Sequence, residues 1–454
     1  MSWLLHEWRL LTRSRLALCA LALLLLLSTL AVLSGLREIS AQRQTLDRLA
    51  QLQQQDMAAQ AGRHAQSGDA GSVAYYGFHA TWDAPSSTAF LALGLRDAAP
   101  YVLRVRALAL QAQLHEGEIF NPELALAGRF DFAFVLVYLV PLFLIALLYD
   151  LVSGERESGR LGTLQAMPGT GRRLWLRRAG LRCALVLACV MLPALAGALA
   201  GGAAAGALAT VLLSATAYVV FWSGLCLVVA TLGGSSVANA MALMGCWAVL
   251  TLVLPTLANA ALSRTIPVSQ GVELMLAQRQ TVHGAWDLPR EQTMERFFRN
   301  HPEWRDTAPL PAGFHWKWYY AFQQLGDESV APQFAAYRAG LQARQAWTGR
   351  LGWLLPGVGV QAALHRQAGT DLLAQLAYQD DIAAFHARLR AFLYPYLFED
   401  RAFGAQDFAA QPAFTASLRP ARPAWAQTAM LWVVAALAVL AACFAAGRVR
   451  PGRR

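Results

Sequence analysis

The sequence predicts an α-helical polytopic membrane protein with six transmembrane helices, both termini on the inner side and two polar insertions on the outer side. Three observations carry this prediction. Six apolar runs each approach the roughly 20 residues that a helix needs to cross a bilayer. Only 15% of the 454 residues are charged and 56% are hydrophobic, whereas an ordinary soluble domain is about 25% charged. The charge is also unevenly divided. Residues 1–15, 150–182 and 447–454 together hold 14 basic and 4 acidic residues, which is the whole net charge of +10; the remainder holds 24 of each. Basic segments stay on the inner side of a membrane. The same partition argues against nucleic acid as a partner, because the basic excess lies at a membrane face and not on a domain.

Residues 1–15 interleave Trp3, Leu4, Trp8, Leu10 and Leu11 with Glu7, Arg9, Arg13 and Arg15. This is the pattern of an amphipathic helix lying in the inner interface; a basic flank to a signal anchor fits equally well. The segment is too polar for a cleavable signal, and the apolar run after it lacks a small-x-small exit. The first span covers 16–36. Residues 37–130 form the first insertion. Arg37 to Ala61 lacks Pro and places Leu46, Leu49 and Leu52 for one helix face, so a helix leaves the membrane here. A Gly/Ser break at 67–72 precedes the aromatic stretch Tyr75, Tyr76, Phe78 and Trp82, which ends at Pro85. Tyr101 to Leu114 fits a helix or a strand. Asp131 is expected at the outer interface. The second span, 132–149, contains Pro141, where a membrane helix kinks and its neighbours satisfy the freed carbonyl.

Residues 150–180 form an inner loop. Leu161, Leu164 and Met167 recur every three residues and would share one side of a short helix. A helix that short is not stable alone and must dock. Arg172, Arg173, Arg177, Arg178 and Arg182 follow; headgroup-level anchors are the favoured reading and a phospholipid or partner site the alternative. Read on charge alone, the stretch is a solvated loop. Its order is more particular: Glu155-x-Glu157-x-Gly159-x-Leu161-x-Thr163-Leu164, then Pro168. This resembles the cytoplasmic loop between the second and third helices of ABC-2 type transporter permeases. The resemblance implies a coupling helix seated in a cleft of a separate ATPase subunit, with Glu155, Glu157, Gly159, Leu161, Thr163 and Leu164 on the contacting loop. It implies a multi-pass protein of the bacterial inner membrane, assembled with a second permease copy or a relative and with two ATPase subunits. ATP and Mg would be bound by those subunits, with no cofactor in this chain. The outer insertions would then be periplasmic. Such permeases often begin with an interfacial helix.

The third span covers 181–199 and the fourth 208–232. Between them, Gly201 to Gly206 makes a short outer turn. Gly197/Gly201 and Gly202/Gly206 fit the Gly-x-x-x-Gly packing spacing, although the turn alone accounts for them. The fifth span, 237–261, follows the uncharged Gly233-Gly-Ser-Ser236, an inner loop that in the resembling family can also touch the ATPase. The second insertion, 262–424, predicts helices at Val272–Gln280, Glu291–Arg299, Ala331–Thr348 and Asp371–Leu393. Its aromatic run, Phe314 to Tyr320, precedes Gln323, Asp327 and Val330. Core packing is the favoured role of these rings; interfacial anchoring and a binding surface are the alternatives. A similar run occurs in a subset of ABC-2 permeases with an enlarged periplasmic domain. The sixth span covers 425–446 and the inner tail 447–454. The two insertions total about 250 residues, enough for a mainly helical domain with its own core.

The sequence also excludes chemistry. Residues 183–261 contain no Asp, Glu, Lys, Arg or His, so no ion-coupling relay lies there. The single lysine, Lys317, is not in a phosphate loop. Energy must therefore come from a separate subunit. His283, His301, His315, His365 and His386 form no metal-binding pair, and the six cysteines lie in apolar runs, which offers no disulfide framework. No Gly-x-Ser-x-Gly elbow occurs. Asp380/Asp381 and Glu399/Asp400 are expected to cap helices or face solvent. The expected function is a permease subunit, not an enzyme in itself, that couples ATP hydrolysis elsewhere to export or to a periplasmic conformational change. The partners are an ABC ATPase, another permease, membrane lipid and a periplasmic protein. The alternative is a non-transport scaffold or sensor with a partner-binding outer domain. A sensor would carry an inner output domain, and the inner segments are only about 15, 33 and 8 residues long.

Overall fold

The computed structural model describes residues 2–64, 68–114, 129–166, 171–268, 271–417 and 423–449. Six of its helices are long and apolar enough to cross a membrane, and the chain is a multi-pass helical membrane protein. Met167, Pro168, Arg450, Arg453 and Arg454 lie outside the described residues, as do Ser67 and 115–128.

Helix α1 (Ser2–Arg13) is separated from α2 (Arg15–His64) at Ser14. The apolar first half of α2 is the first span. Its Ala-, Gln- and Leu-rich second half continues as helix because nothing in it breaks one. A short α3 (Ala70–Tyr76) starts at Asp69, whose carboxylate accepts from the Gly71 and Ser72 N–H groups. Strands β1 (His79–Trp82) and β2 (Val102–Val105) pair antiparallel, with His79 opposite Val105. Helix α4 (Leu110–Leu114) follows. The stretch from Tyr101 to Leu114 thus holds both a strand and a helical turn.

The second span, α5, comprises Phe132–Phe134, a π-helical Val135–Leu139 and Val140–Leu148. The irregularity expected at Pro141 is this π segment just before it. Pro141 has no N–H for the Val137 carbonyl. The Tyr218 hydroxyl donates to that carbonyl at 2.9 Å, and Trp247 Nε1 donates to the Tyr138 carbonyl at 3.2 Å. Two other spans therefore satisfy the freed groups. Asp131, expected at the outer interface, is covered by protein. It is 6% exposed and caps α5, accepting from the Phe134 N–H and also from the Leu93 N–H; burial is possible because its carboxylate is hydrogen-bonded.

Helices α6 (Ser153–Glu157) and α7 (Leu161–Ala166) make the loop that follows. The third span is α8 (Gly171–Ala200) and the fourth α9 (Ala205–Thr231). At the turn between them, Gly202 has φ +67°, a conformation that favours glycine. Gly197 has a packing role beyond the turn: a Cβ there would lie 2.7 Å from Val32 Cγ1 and 2.8 Å from the Phe90 ring. The fifth span, α10, repeats the plan of the second, with Ser236–Ala248, a π-helical Val249–Val253 and Leu254–Thr265 containing Pro255. Spans two, three and four bury 61%, 44% and 56% of their apolar windows, against 28%, 17% and 28% for spans one, five and six. The former therefore form the centre of the bundle. Ser214 of α9 and Thr428 of the sixth span hydrogen-bond at 2.7 Å.

The second polar segment holds α11 (Gly271–Gly284), α12 (Arg290–Asn300), α13 (Trp316–Leu351), α14 (Pro356–Ala368), α15 (Leu372–Phe398) and α16 (Ala405–Ala410), before the sixth span α17 (Trp425–Gly447). Helix α13 starts 15 residues before the predicted Ala331, so the aromatic run forms its first turns. Trp318 and Tyr320 are buried there while Phe314 is half exposed, as core packing requires. The two polar segments share one core, in which Val73, Ala107 and Leu108 pack with Phe297, Trp318, Tyr320 and Phe398. Asp327 joins them. It accepts from the Leu110 N–H at 2.8 Å, the Gln111 N–H at 3.2 Å and Arg390 at 3.1 Å. Burial pushes its carboxyl up, and those donors pull it back. Helix α14 departs from the expected division between domain and bundle: Val360, Leu364 and Ala368 belong to the core of the bundle. Its glycines permit this, since a Cβ on Gly359 would lie 2.9 Å from Met430 Cε.

Candidate functional site

The loop between spans two and three is built by two short helices joined at Ser158 to Arg160. Gly159 has φ +72°, and a Cβ placed on it would meet nothing within 4 Å, so the requirement for glycine is conformational and not spatial. The six residues singled out by the sequence separate into two groups.

Glu155 and Leu161 face the protein, while Glu157 is exposed and reaches along the surface to Ser236. Glu155 accepts from Arg160 Nε at 2.7 Å and from Arg178 Nη1 at 2.8 Å, and Arg178 Nε donates to Glu7 at 3.0 Å. This network ties α1, α6 and α8 together. The side chains of Glu7, Arg178 and Glu155 are only 12%, 10% and 16% exposed. Arg178 is thus an internal partner and not the headgroup anchor expected of it. Glu157 accepts from the Ser236 N–H at 2.7 Å and lies 2.9 Å from the Ser236 hydroxyl. A carboxylate at the first turn of α10 satisfies a free N–H and favours the helix dipole. Leu161 is buried in the bundle core, and Leu164 packs partly against it.

Gly159 and Thr163 face outward, with Arg160 and Gly162 beside them. Around this exposed tip, Arg156 Nη1 donates to the Gly234 carbonyl at 3.4 Å, Asn239 Nδ2 to the Tyr149 carbonyl at 3.3 Å and Gln165 Nε2 to the Val449 carbonyl at 3.0 Å. The loop therefore contacts α1, α8, the start of α10 and the segment after α17. A displacement of its tip has a mechanical path to four elements. The arrangement can dock and transmit. Among the described residues, no group of three His, Cys, Asp or Glu side chains is placed to hold a metal ion.

The polar domain gathers a cluster that sequence reasoning missed. His301 Nε2 lies 2.6 Å from Glu328 and 2.7 Å from Gln324 Nε2, and Asn300 Nδ2 donates to Glu328 at 2.8 Å. Burial opposes ionisation of Glu328, but the Asn300, His301 and Gln324 hydrogen bonds hold its carboxyl below its usual range. These residues come from α12, its end and α13, and no local spacing relates them. The other histidines with resolved contacts are structural. His386 bonds the Leu108 carbonyl at 2.7 Å, and His315 caps α13 through the Lys317 N–H. His365 lines a cavity at the far end of the bundle, where burial lowers its pKa to about 4. Asp380 and Asp400 pair with Arg338 and Lys317, so these acids have partners and are not simply solvated.

Residues 272–417 match the model of a family described as a domain of unknown function, DUF3526. The matched segment is most of the second polar segment, from α11 to beyond α16, and does not include the loop. No curated protein and no solved structure matches the chain.

Proposed function

We propose that this chain is the permease subunit of an ATP-driven ABC-2 type transporter in a bacterial inner membrane. In this reading the loop between spans two and three is cytoplasmic and the polar domain periplasmic. The observation that supports it best is the build of the loop: Glu155 and Leu161 brace it from within and Glu157 ties it to Ser236 at the surface, while Gly159, Gly162 and Thr163 form an outward tip beside Arg160. A coupling element needs both, a face for the ATPase and rigid links to the helices it moves. ATP and Mg would bind the ATPase subunits, and this chain would work as a pair with a second copy or a relative. Span five, the least covered of the six, would face lipid or that second permease. Hydrolysis would move the tip, and α1, α8 and α10 would follow through the Glu155 and Glu157 contacts. The output would be export of a lipid, peptide or glycan, or a conformational change relayed to the periplasmic domain.

The test is a mild-detergent pull-down of the full chain from its native host, with mass spectrometry and an ATPase assay on the eluate. The informative variant is Thr163→Trp, because Thr163 is exposed and its replacement leaves the internal braces intact. A stoichiometric ATPase lost with Thr163→Trp supports the permease reading. Copurification of periplasmic proteins without an ATPase would refute it and favour the scaffold.

A further inference from the structure

We propose that the cavity between α1 and the loop end of spans two and three binds the headgroup of an aminophospholipid, with its phosphate on Arg182 and its primary ammonium on Asp150. Such a lipid site is independent of any ATPase partner. The cavity has a volume of about 250 Å3 and is lined by Glu7, Asp150, Glu155, Arg178 and Arg182 together with leucines of α1, α2, α5 and α8. Charged walls beside apolar ones are what a lipid requires where its headgroup meets its chains.

The five charges are not equivalent. Glu7, Arg178 and Glu155 satisfy one another. Asp150 and Arg182 do not. Their nearest atoms are 4.0 Å apart, and Asp150 remains 48% exposed. The Asp150 carboxylate accepts no hydrogen bond among the described residues. Arg182 gives Nη1 to the Leu147 carbonyl, a terminal carbonyl of α5, and its other N–H groups have no acceptor among the described residues. A carboxylate and a guanidinium with unused capacity, side by side in one cavity, are complementary to a zwitterion that carries both an acceptor and a donor. Guanidinium recognises phosphate through paired N–H groups, and a primary ammonium gives a carboxylate three donors. The lining has three acids against two bases, so a net anionic headgroup would meet an unbalanced carboxylate. A choline headgroup has the charge but no N–H to donate. Leu10 and Leu16, 41% and 61% exposed at the rim, offer apolar surface for the acyl chains.

The experiment is native mass spectrometry of the full-length protein in detergent, delipidated and then titrated with equal concentrations of phosphatidylethanolamine, phosphatidylcholine and phosphatidylglycerol. The expected result is one phosphatidylethanolamine retained per chain, at least fivefold over either competitor. Asp150→Asn should abolish that preference while leaving the fold intact, since Asp150 is half exposed and accepts nothing internally. Arg182→Gln should remove retention of all three lipids; should that variant fail to fold, the Asp150→Asn result alone decides. Equal retention of the three lipids, preference for phosphatidylglycerol, or an unchanged preference in Asp150→Asn would each overturn the proposal.

Discussion

Replacing Arg178 with Met tests whether the inner brace of the loop is structural. Arg178 is 10% exposed and holds Glu7 at 3.0 Å and Glu155 at 2.8 Å. Removing one partner of a buried ion pair costs roughly 3–5 kcal/mol, because it leaves charge without compensation. The two carboxylates retain slight solvent access and Glu155 keeps Arg160, so we expect the lower end, about 3 kcal/mol. Arg160→Met provides the internal control. It touches the same carboxylate at 2.7 Å but is 66% exposed, and exposed pairs contribute about 0–1 kcal/mol. The assay is thermal unfolding of the full chain in detergent, with hydrogen exchange of residues 150–166. Arg178→Met should lower the midpoint by several degrees and accelerate exchange across α6 and α7, while Arg160→Met should do neither. Equal effects of the two variants, or exchange unchanged in Arg178→Met, would refute the reasoning. Tests of function inherit the same constraint. A Glu155 charge reversal breaks this network, so loss of a partner in that variant would report a misfolded loop as readily as a lost contact.

Three further outcomes follow from other parts of the molecule. Asp327→Asn should destabilise the polar domain by about 3 kcal/mol, since it removes an ion pair and leaves a buried N–H of α4 unmatched; limited proteolysis should then cut near residues 105–114 first, and an unchanged digest would argue against a shared core. Tyr218→Phe should cost about 1–2 kcal/mol by leaving the Val137 carbonyl unpaired, and should cost less in a Pro141→Ala background, where residue 141 supplies its own N–H; equal costs by thermal unfolding would count against the assignment. The third concerns pH. Burial lowers the pKa of His79 from 6.5 to about 4, so between these values the unfolded chain binds more protons. The stability it confers is present above pH 6.5 and is lost as pH falls toward 4, by up to about 3 kcal/mol. His79→Phe should flatten that decline in unfolding free energy measured across the window, and an identical pH profile would show that His79 is not the responsible group.

The parts of this fold that were legible in the sequence are those set by solvent transfer over many residues. A run such as 208–232 reads as a span because its length and hydropathy sum over the whole helix, and Ala205–Thr231 is the result. Local exceptions were harder. Helix α14 begins Pro356-Gly-Val-Gly-Val, which has poor helix propensity, yet it is helical because those glycines let it pack against Met430 and Tyr218. Tertiary contact overrides propensity there. The π segments did leave a trace: Val135-Leu-Val-Tyr-Leu-Val-Pro141 and Val249-Leu-Thr-Leu-Val-Leu-Pro255 share a spacing of Val, Leu and Pro. That repeat, compared between spans, was the available signal.

The loop shows where reading residue types stops short of reading roles. Its acids, glycines and leucines mark a short docked element, and two short helices form there. The pattern does not say which way each side chain turns. Glu155 turns inward because Arg178, one helix away and 23 residues later, presents a largely buried guanidinium that a carboxylate neutralises. Glu157 turns toward Ser236 because the first N–H groups of α10 lack helical partners. Both causes are long-range, and neither is written within residues 150–168. The outward tip then consists of Gly159, Gly162 and Thr163, small side chains that leave the backbone of the turn accessible, with the exposed Arg160 beside them. Gly159, Gly162 and Thr163 contribute little affinity through their own side chains and depend on shape, so substitutions that add bulk at these positions should disturb a partner more than substitutions there that change charge. Comparing Thr163→Trp with Thr163→Glu in the pull-down separates the two cases: on this reasoning Trp releases the partner and Glu retains most of it, whereas release by Glu alone would mean that the tip is read by its charge.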